Sequence, residues 1–280
     1  MLPRQAWDTL VDGRSTIDMM ALLIILLVLA VVSLVIAIAQ IVRYRRRLYE
    51  ATGRLQFEIS VIDPEDFDPT FVVTDLGPTP ASEVLFIGGA NRVPNGASDT
   101  ETWILAALAK SRRTLFEFGT ATGKTAYLWA RNSPQDAHVT TITLGPEQHV
   151  LYNACEGDDH SATRVAIDES TFTQFVYSGT VVEHKITQLF GDSKEFDESP
   201  FHRACDLIFV DGSHAYSYVK SDSEKALRMI RPGGVILWHD YRGKWGVTSD
   251  VHAYLNELSL RLPLVHLRGT TIVAFHMPLR

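Results

Sequence analysis

The sequence has 280 residues, of which 46% are hydrophobic and 21% charged, and it carries a formal net charge of −7. These values are typical of one substantial domain with a short appendage, and they exclude a disordered chain. The only two cysteines, Cys155 and Cys205, exclude a disulfide-stapled scaffold and a cysteine-rich zinc module.

The charge is unevenly distributed along the chain. Four arginines lie within residues 43–47, whereas residues 48–280 contain 20 basic and 30 acidic side chains. Proteins that bind nucleic acids need clustered Lys and Arg side chains to neutralise phosphates, and the larger part of this chain lacks that excess. We therefore expect no nucleic-acid partner.

The first predicted element is a transmembrane helix over residues 19–42, preceded by an extramembrane segment over residues 1–18. Residues 19–42 contain no charged side chain. As a helix they would extend about 36 Å, more than the hydrocarbon core of a bilayer, which is about 30 Å thick. A signal peptide has a shorter apolar region and a basic start, and a buried core helix is rarely apolar on every face. We expect the lipid bilayer to be the partner of this segment.

Flanking arginines predict the orientation of this helix. Positive residues favour the cytoplasmic side of a membrane. Four arginines follow the apolar segment closely, whereas only Arg4 and Arg14 precede it. We therefore expect a single-pass membrane protein with its N-terminus outside and its C-terminal domain in the cytoplasm.

Residues 43–98 are predicted to form a basic juxtamembrane segment and a loop-rich collar. The sequences DPEDFDPT at 63–70 and LGPTP at 76–80 are rich in turn-forming residues. Short strands are expected at 71–74 and 84–87.

A regular alternation of strands and helices begins near Asp99 and defines a domain over residues 99–280. Its first helix is expected over 102–110, with Asp99 or Thr100 as the cap. Strands separated by helices predict a doubly wound parallel sheet, which binds its ligand beyond the C-terminal ends of the strands. We expect strands at 114–118, 138–143, 185–190, 206–210 and 235–238, further helices from 124 to 131 and over 217–230 and 251–260, and two closing strands at 264–267 and 271–275.

The glycine loop after the first of these strands has two interpretations. The sequence GTATGKT at 119–125 is close to a triphosphate-binding loop. However, that loop needs four residues between its first glycine and the Gly-Lys pair, and only three separate Gly119 from Gly123. In the second interpretation, Glu117 ends the strand and the loop lets the backbone approach another ligand. If neither holds, the glycines serve only a tight turn.

Four stretches favour the second interpretation because they occur together and in order. They are FEFGTATGKT at 116–125, LFGDS at 189–193, DLIFVDGSHAY at 206–216 and RPGGVILWHDY at 231–241. With them, residues 99–280 resemble class I S-adenosylmethionine-dependent methyltransferases, specifically small O-methyltransferase-like members with a metal-compatible site. The resemblance implies a Rossmann-like α/β sheet with an antiparallel last strand, and S-adenosylmethionine as the cofactor.

The resemblance also implies cofactor-binding roles for individual residues. The methionine part of the cofactor would be surrounded by Glu117, Gly119, Thr120 and Gly123. The adenine would lie near Asp192 and Ser193, although Asp192 has the alternative role of a helix cap.

The sequence departs from the family pattern at two places. The second strand of these enzymes usually ends in an acid that binds the ribose hydroxyls, whereas here Thr143 or Gly145 takes that position. The Thr143 hydroxyl can make one such hydrogen bond, without the added strength of a carboxylate, and Glu147 lies nearby as a substitute. Ala121 occupies the position of the middle glycine of the loop.

A second group of candidate site residues follows two central strands. Asp211, His239 and Asp240 are expected to open into one crevice. They are candidate ligands for Mg²⁺ or another divalent cation, which would lower the pKa of an acceptor hydroxyl. The resemblance implies that Asp211 would also face the methyl donor. His214 is the candidate general base. The alternatives are that His214 caps the next helix and that His239 packs in the core.

Two functional hypotheses follow. The first is a membrane-anchored methyltransferase directed at an oxygen of a small or lipid-associated acceptor. The second, suggested by the missing ribose acid, is a catalytically silent methyltransferase-like subunit of a larger membrane protein complex. In either case, residues 157–180 are predicted to be an irregular insertion that shapes the substrate pocket.

Overall fold

The computed structural model of the protein describes residues 23–43, 59–87, 97–243 and 246–279. The chain divides into two compact units, residues 1–55 and residues 56–280. Predicted features at residues 1–18, at residues 19–22 of the apolar segment and at Arg45, Arg46 and Arg47 lie outside the described residues.

The first unit contains the apolar helix α1, Leu23–Arg43. It has 21 residues, and its most apolar window has a mean hydropathy of 3.1. Every residue of the helix is exposed. By length and composition α1 can cross a membrane, and a signal sequence near an N-terminus meets the same criterion.

The second unit alternates strands and helices, as the sequence predicts from Asp99 onward. Its helices are α2 (Pro64–Phe67), α3 (Asp99–Ala109), α4 (Lys124–Asn132), α5 (His160–Glu169), α6 (Tyr216–Met229) and α7 (Ser249–Ser259). Its strands are β1 (Val61–Ile62), β2 (Val73–Thr74), β3 (Gly77–Pro78), β4 (Thr114–Phe118), β5 (His138–Thr143), β6 (Ile186–Phe190), β7 (Cys205–Val210), β8 (Ile230–Trp238), β9 (Val265–Leu267) and β10 (Val273–His276).

Eight strands form one sheet in the order β1-β9-β10-β8-β7-β4-β5-β6, and β2 pairs with β3 separately. Strand β10 is antiparallel to both of its neighbours, and the other described pairs of this sheet are parallel. The predicted Rossmann-like sheet with a reversed last strand is therefore confirmed. Strand β1 comes from the collar, so the sheet includes residues that precede Asp99.

Helices cover both faces of the sheet, which explains the apolar sequence of its central strands. All six residues of β7 are buried, as expected for a parallel strand covered on both sides. On one face Phe116 and Ile208 pack in a cluster with α6 and α7. On the other face Leu115 and Phe209 pack with α3 and α4.

The structure differs from the sequence-based expectations at several boundaries. Helix α3 begins at Asp99, and its cap is Ser98, which forms a capping box with Glu101 and so satisfies two free amides. Residues 84–87 are not a strand. Strand β8 begins at Ile230 rather than at 235. The segment 157–180 is not irregular throughout, because it contains α5.

Candidate functional site

The candidate site lies where three neighbouring strands end. Phe118, Val210 and Trp238 are in register as the last residues of β4, β7 and β8. The amide of Asp211 donates to Phe118 O at 2.8 Å, and the amide of His239 donates to Val210 O at 3.1 Å. The residues that follow these strands therefore meet at one edge of the sheet, as predicted for a doubly wound fold.

The glycine loop approaches the end of β7 closely at Gly119. This residue has φ 95°, and a Cβ atom placed on it would lie 2.1 Å from the carbonyl oxygen of Asp211. Gly123 has φ 77°, and its Cβ would lie 2.7 Å from the Tyr177 ring. Ala121 also has a positive φ, 41°, a conformation that glycine adopts more easily. Both space and backbone conformation therefore require glycine at position 119.

Two clefts open beside this loop. The empty space in and at the mouth of the Thr143 cleft is about 530 Å³, and that of the His214 cleft is about 1100 Å³. Gly119, Ala121, Glu169 and Asp211 line both clefts, so the two spaces meet at these residues. The Thr143 cleft is also lined by Thr143, Tyr152, Asp192, Ser193, Tyr218 and Asp222, and the His214 cleft by Glu117, Thr120, Lys124, His214, His239, Asp240 and Arg242.

The Thr143 cleft contains the residues predicted to lie near the adenine and ribose. Both carboxylate oxygens of Asp192 are occupied, because Oδ1 accepts from the Lys194 amide and Oδ2 accepts from the Tyr218 hydroxyl, each at 2.9 Å. Asp192 thus fixes a turn as well as lining the cleft. Tyr218 stacks on Tyr152 with ring centroids 4.5 Å apart. These two rings supply an aromatic wall that the sequence analysis missed.

Glu147 does not supply the carboxylate that is missing at Thr143, although the sequence suggested it as a substitute. Glu147 is exposed, in the 3-10 helix Pro146–Leu151, and it does not line the Thr143 cleft. Two acids that the sequence analysis missed do line this cleft. Asp222 is buried, which raises its pKa to about 7. Burial also raises the pKa of Glu169.

Glu117 ends a chain of buried hydrogen bonds. Thr141 Oγ1 donates to Glu117 Oε2 at 2.7 Å, and Thr120 Oγ1 lies 2.7 Å from Thr141 Oγ1. Gln188 Nε2 donates to Thr120 Oγ1 at 3.1 Å. Burial nevertheless raises the pKa of Glu117 to about 8, so this carboxyl is mainly protonated at neutral pH.

This raised pKa predicts a pH-dependent effect of Glu117→Gln on stability. Between the ordinary value of 4.5 and about 8, the folded state holds a proton on Glu117 that the unfolded state has lost. The wild type therefore loses stability as pH rises through this range, on the order of 4 kcal/mol in full. We expect Glu117→Gln to raise the melting temperature relative to the wild type by several degrees more at pH 8.5 than at pH 5.

The control for this prediction is Glu147→Gln, which changes an exposed glutamate. Its melting temperature should follow that of the wild type at both pH values. A Glu117→Gln variant whose stability relative to the wild type is the same at pH 5 and pH 8.5 would contradict a protonated Glu117.

The predicted metal ligands converge. Asp211, His239 and Asp240 each offer a ligand atom, and these atoms lie within 4.8 Å of one another. His239 Nδ1 is 2.9 Å from Asp211 Oδ1 and 3.4 Å from Asp240 Oδ2. Although burial opposes its charge, Asp211 and the other acids raise the pKa of His239 well above its ordinary value. Asp240 has φ 63°, a strained conformation that is typical of functional sites.

His214 is held by Asp240 and has one unpartnered ring nitrogen. Its Nε2 lies 2.8 Å from Asp240 Oδ2. Its Nδ1 is buried without a hydrogen-bond partner among the described residues. Burial opposes a charge on His214, but Asp240 raises its pKa. A carboxylate that orients one imidazole nitrogen and leaves the other available is the arrangement of a general base.

The donor set of this cluster fits a divalent cation. Two carboxylates and one imidazole are ligands that Mn²⁺ or Zn²⁺ accepts readily, whereas Mg²⁺ prefers oxygen ligands alone. In the structure, Arg242 already neutralises the carboxylate of Asp240, which accepts a hydrogen bond from Arg242 at 2.8 Å. A metal would therefore compete with Arg242 and His214 for Asp240.

The structure brings most of the predicted site residues together, with one exception. Gly123 does not line either cleft and instead packs against Phe175 and Tyr177. The sequence analysis missed Glu169 because it lies in the segment predicted to be irregular. It also missed Glu101, which lies 3.5 Å from His239 Nε2 and belongs to a helix far from the quoted motifs.

Residues 116–241 match the sequence profile of the family described as "Methyltransferase domain". A search of curated proteins gave no significant match.

Several solved structures resemble this chain at low sequence identity. A candidate caffeoyl-CoA O-methyltransferase from Staphylococcus aureus is 18% identical, with 68% of this chain and 88% of that chain covered and a TM-score of 0.47. The SAH-bound methyltransferase of Podospora anserina is 16% identical, with 67% and 83% covered and a TM-score of 0.46. An O-methyltransferase from Bacillus cereus in complex with SAH is 18% identical, with 66% and 84% covered and a TM-score of 0.44.

Proposed function

We propose that this chain, whose residues 116–241 match a methyltransferase-domain family, transfers a methyl group from S-adenosylmethionine to an oxygen of a small or lipid-associated acceptor. The family match supports the resemblance found in the sequence, and it favours the methyltransferase interpretation of the glycine loop over the triphosphate-binding one. The observation that carries the proposal is the meeting of two clefts at Gly119 and Asp211.

The two clefts suit the two substrates of such a reaction. The Thr143 cleft, with the stacked rings of Tyr152 and Tyr218, suits the flat adenine of the cofactor. The His214 cleft holds the candidate base and therefore suits the acceptor. The methyl group would pass where the two clefts meet, beside Gly119 and Asp211.

His214 is the proposed general base. If Nε2–H donates to Asp240, the lone pair of Nδ1 is free to accept the proton of the acceptor hydroxyl. S-adenosylmethionine supplies the methyl group from its sulfonium, so the new C–O bond forms as the S–C bond breaks. His214 holds the released proton, and Asp240 stabilises the resulting imidazolium.

The proposal includes a divalent cation at the acidic end of the His214 cleft as a second means of activating the acceptor hydroxyl. Asp211, His239 and Asp240 would hold it. It would supply positive charge that lowers the pKa of the acceptor hydroxyl.

Membrane anchoring by α1 is also part of the proposal. Its side chains are exposed throughout and almost all apolar, as for Leu27, which is 65% exposed. A bilayer would remove this surface from water. The arginines that follow α1 favour an N-terminus outside and a methyltransferase domain in the cytoplasm. Reporter fusions to each terminus test this orientation, and a C-terminal reporter on the outer side would overturn it.

The proposed cofactor is tested by calorimetric titration of the full-length protein in neutral detergent with S-adenosylmethionine, with and without Mn²⁺ or Mg²⁺. We expect a micromolar dissociation constant, equivalent to about −8 kcal/mol. Methyl transfer is then sought with labelled S-adenosylmethionine and fractionated lipid and small-molecule extracts. Binding without transfer to any fraction would contradict the proposed enzyme.

One observation favours a second candidate function, a catalytically silent subunit of a membrane protein complex. Thr143 stands where the ribose-binding acid is expected, and Asp192 has both oxygens occupied. A folded protein that does not bind S-adenosylmethionine, and that co-purifies with other membrane proteins in mild detergent, would support this alternative. A protein that purifies alone and binds the cofactor would exclude it.

A further inference from the structure

Three lysines are buried among the described residues, Lys124, Lys185 and Lys225. A buried ammonium group is costly unless it is paired or fully hydrogen-bonded. Lys185 meets this requirement with three hydrogen bonds of 2.6–3.1 Å to Ala130 and Ser133. Lys225 Nζ donates to Lys194 O at 2.9 Å and lies 3.6 Å from Glu198.

Lys124 is different. It is only 6% exposed, yet its ammonium group makes one long hydrogen bond, 3.3 Å, to the carbonyl oxygen of Ala97. No carboxylate of the described residues lies within 4 Å of it. Asp99 and Glu101 act on it only at longer range, and burial lowers its pKa. The carboxylate of Glu101 already has other partners, since it accepts hydrogen bonds from the amides of Ser98 and Thr271.

Lys124 lines the His214 cleft, where the other basic side chains are paired. His214 and Arg242 each lie 2.8 Å from Asp240, and His239 lies 2.9 Å from Asp211. Of the two remaining acids of the cleft, Glu117 is mainly protonated at neutral pH and Glu169 has a raised pKa. Within the described part of this cleft, Lys124 is therefore the cation that lacks a carboxylate partner.

The backbone adds to this positive potential. Lys124 is the first residue of α4, and its N-cap residue, Gly123, supplies no side-chain cap. The free amides of a helix N-terminus favour an anion. Lys124 thus combines a buried ammonium group that has no carboxylate partner in the described part of the chain with a position in the first turn of a helix.

We propose that Lys124 is an anchor for an anionic group, a carboxylate or phosphate, of a ligand bound in the His214 cleft. This deepens the proposed function, on which it rests, by giving the acceptor a chemical class: a hydroxyl compound that also carries a carboxylate or phosphate. The same chemistry is present in the carboxylate of the methionine part of the cofactor. The experiment therefore separates these two sources.

The test uses the full chain in neutral detergent and inorganic phosphate as the probe. Phosphate should bind the wild type in the millimolar range and raise its melting temperature. Lys124→Met should weaken phosphate binding at least tenfold, whereas Lys124→Arg should retain it. The matched control is Lys220→Met, which changes an exposed lysine on α6 and should bind phosphate like the wild type.

Stability provides a second readout. Without phosphate, Lys124→Met should melt about 2 to 4 °C above the wild type, because the substitution removes a buried charge that lacks a partner. Phosphate should not stabilise this variant. Phosphate binding that is absent from the wild type, or equal in the wild type and Lys124→Met, would overturn the proposal.

The source of the anion is separated by titrating S-adenosylmethionine and its decarboxylated analogue. If Lys124→Met weakens the binding of S-adenosylmethionine tenfold but leaves the affinity for the analogue unchanged, Lys124 binds the carboxylate of the cofactor. If both bind the variant normally while phosphate does not, the anion belongs to the acceptor. Failure of the wild type to bind S-adenosylmethionine overturns the proposed function alone, since the phosphate measurement needs no cofactor.

Discussion

Gly119→Ala is expected to weaken S-adenosylmethionine binding by at least 100-fold, the largest effect of any single substitution in the Thr143 cleft. The added Cβ would lie 2.1 Å from the carbonyl oxygen of Asp211 and 2.7 Å from Gly212 Cα. These are backbone atoms, so they cannot rotate away as a side chain can. The end of β7 must move, and with it Asp211 at the junction of the two clefts. Calorimetric titration of the full-length variant measures the loss.

The matched control is Gly157→Ala. Gly157 has φ 99°, close to the 95° of Gly119, but a Cβ there meets no atom within 4 Å. Both variants therefore place a Cβ atom on a backbone with positive φ, which costs about 1–2 kcal/mol of folding stability. Only Gly119→Ala adds a collision at the site. Equal cofactor affinity in the two variants would show that cofactor binding does not depend on the close packing of Gly119 against Asp211.

His214→Gln is expected to lower the rate of methyl transfer about 100- to 10,000-fold, the range typical of a lost general base. The glutamine amide can still reach toward Asp240 but cannot accept the proton of an acceptor hydroxyl. Because His214 lines only the acceptor cleft, the affinity for S-adenosylmethionine should stay within about threefold. The measurement is transfer of labelled methyl to the acceptor identified in extracts, beside a cofactor titration.

The control for this prediction is His149→Gln. His149 is half-buried and also has a ring nitrogen without a hydrogen-bond partner among the described residues, but it lines neither cleft. Its substitution should leave transfer unchanged. If His214→Gln retained more than half of the wild-type rate, the proton would have to leave by another route, and His214 would be a positioning residue only.

Much of the fold was predictable because its signals are local. Strand β5 begins and ends at the predicted residues, His138 and Thr143, since a run of β-branched residues stands between turn-forming residues. The predicted start of helix α3 was three residues too late. Its true start depends on a capping box, in which the Glu101 side chain folds back to Ser98. Helix α5 was missed because its sequence HSATRVAIDE has a weak apolar pattern and mostly half-buried or exposed residues.

The sequence by itself determined the alternation of strands and helices, the glycine loop and the identity of the residues at the strand ends. These features depend on neighbours along the chain, on hydrophobic periodicity and on backbone conformation. Only the tertiary structure decided which groups are paired. In the folded chain, Asp240 pairs with His214 and Arg242, and both carboxylate oxygens of Asp192 accept hydrogen bonds. Glu117 is buried, and Lys124 has no carboxylate partner among the described residues. Pairing and burial depend on residues far apart in the chain, and they set the charge of each group.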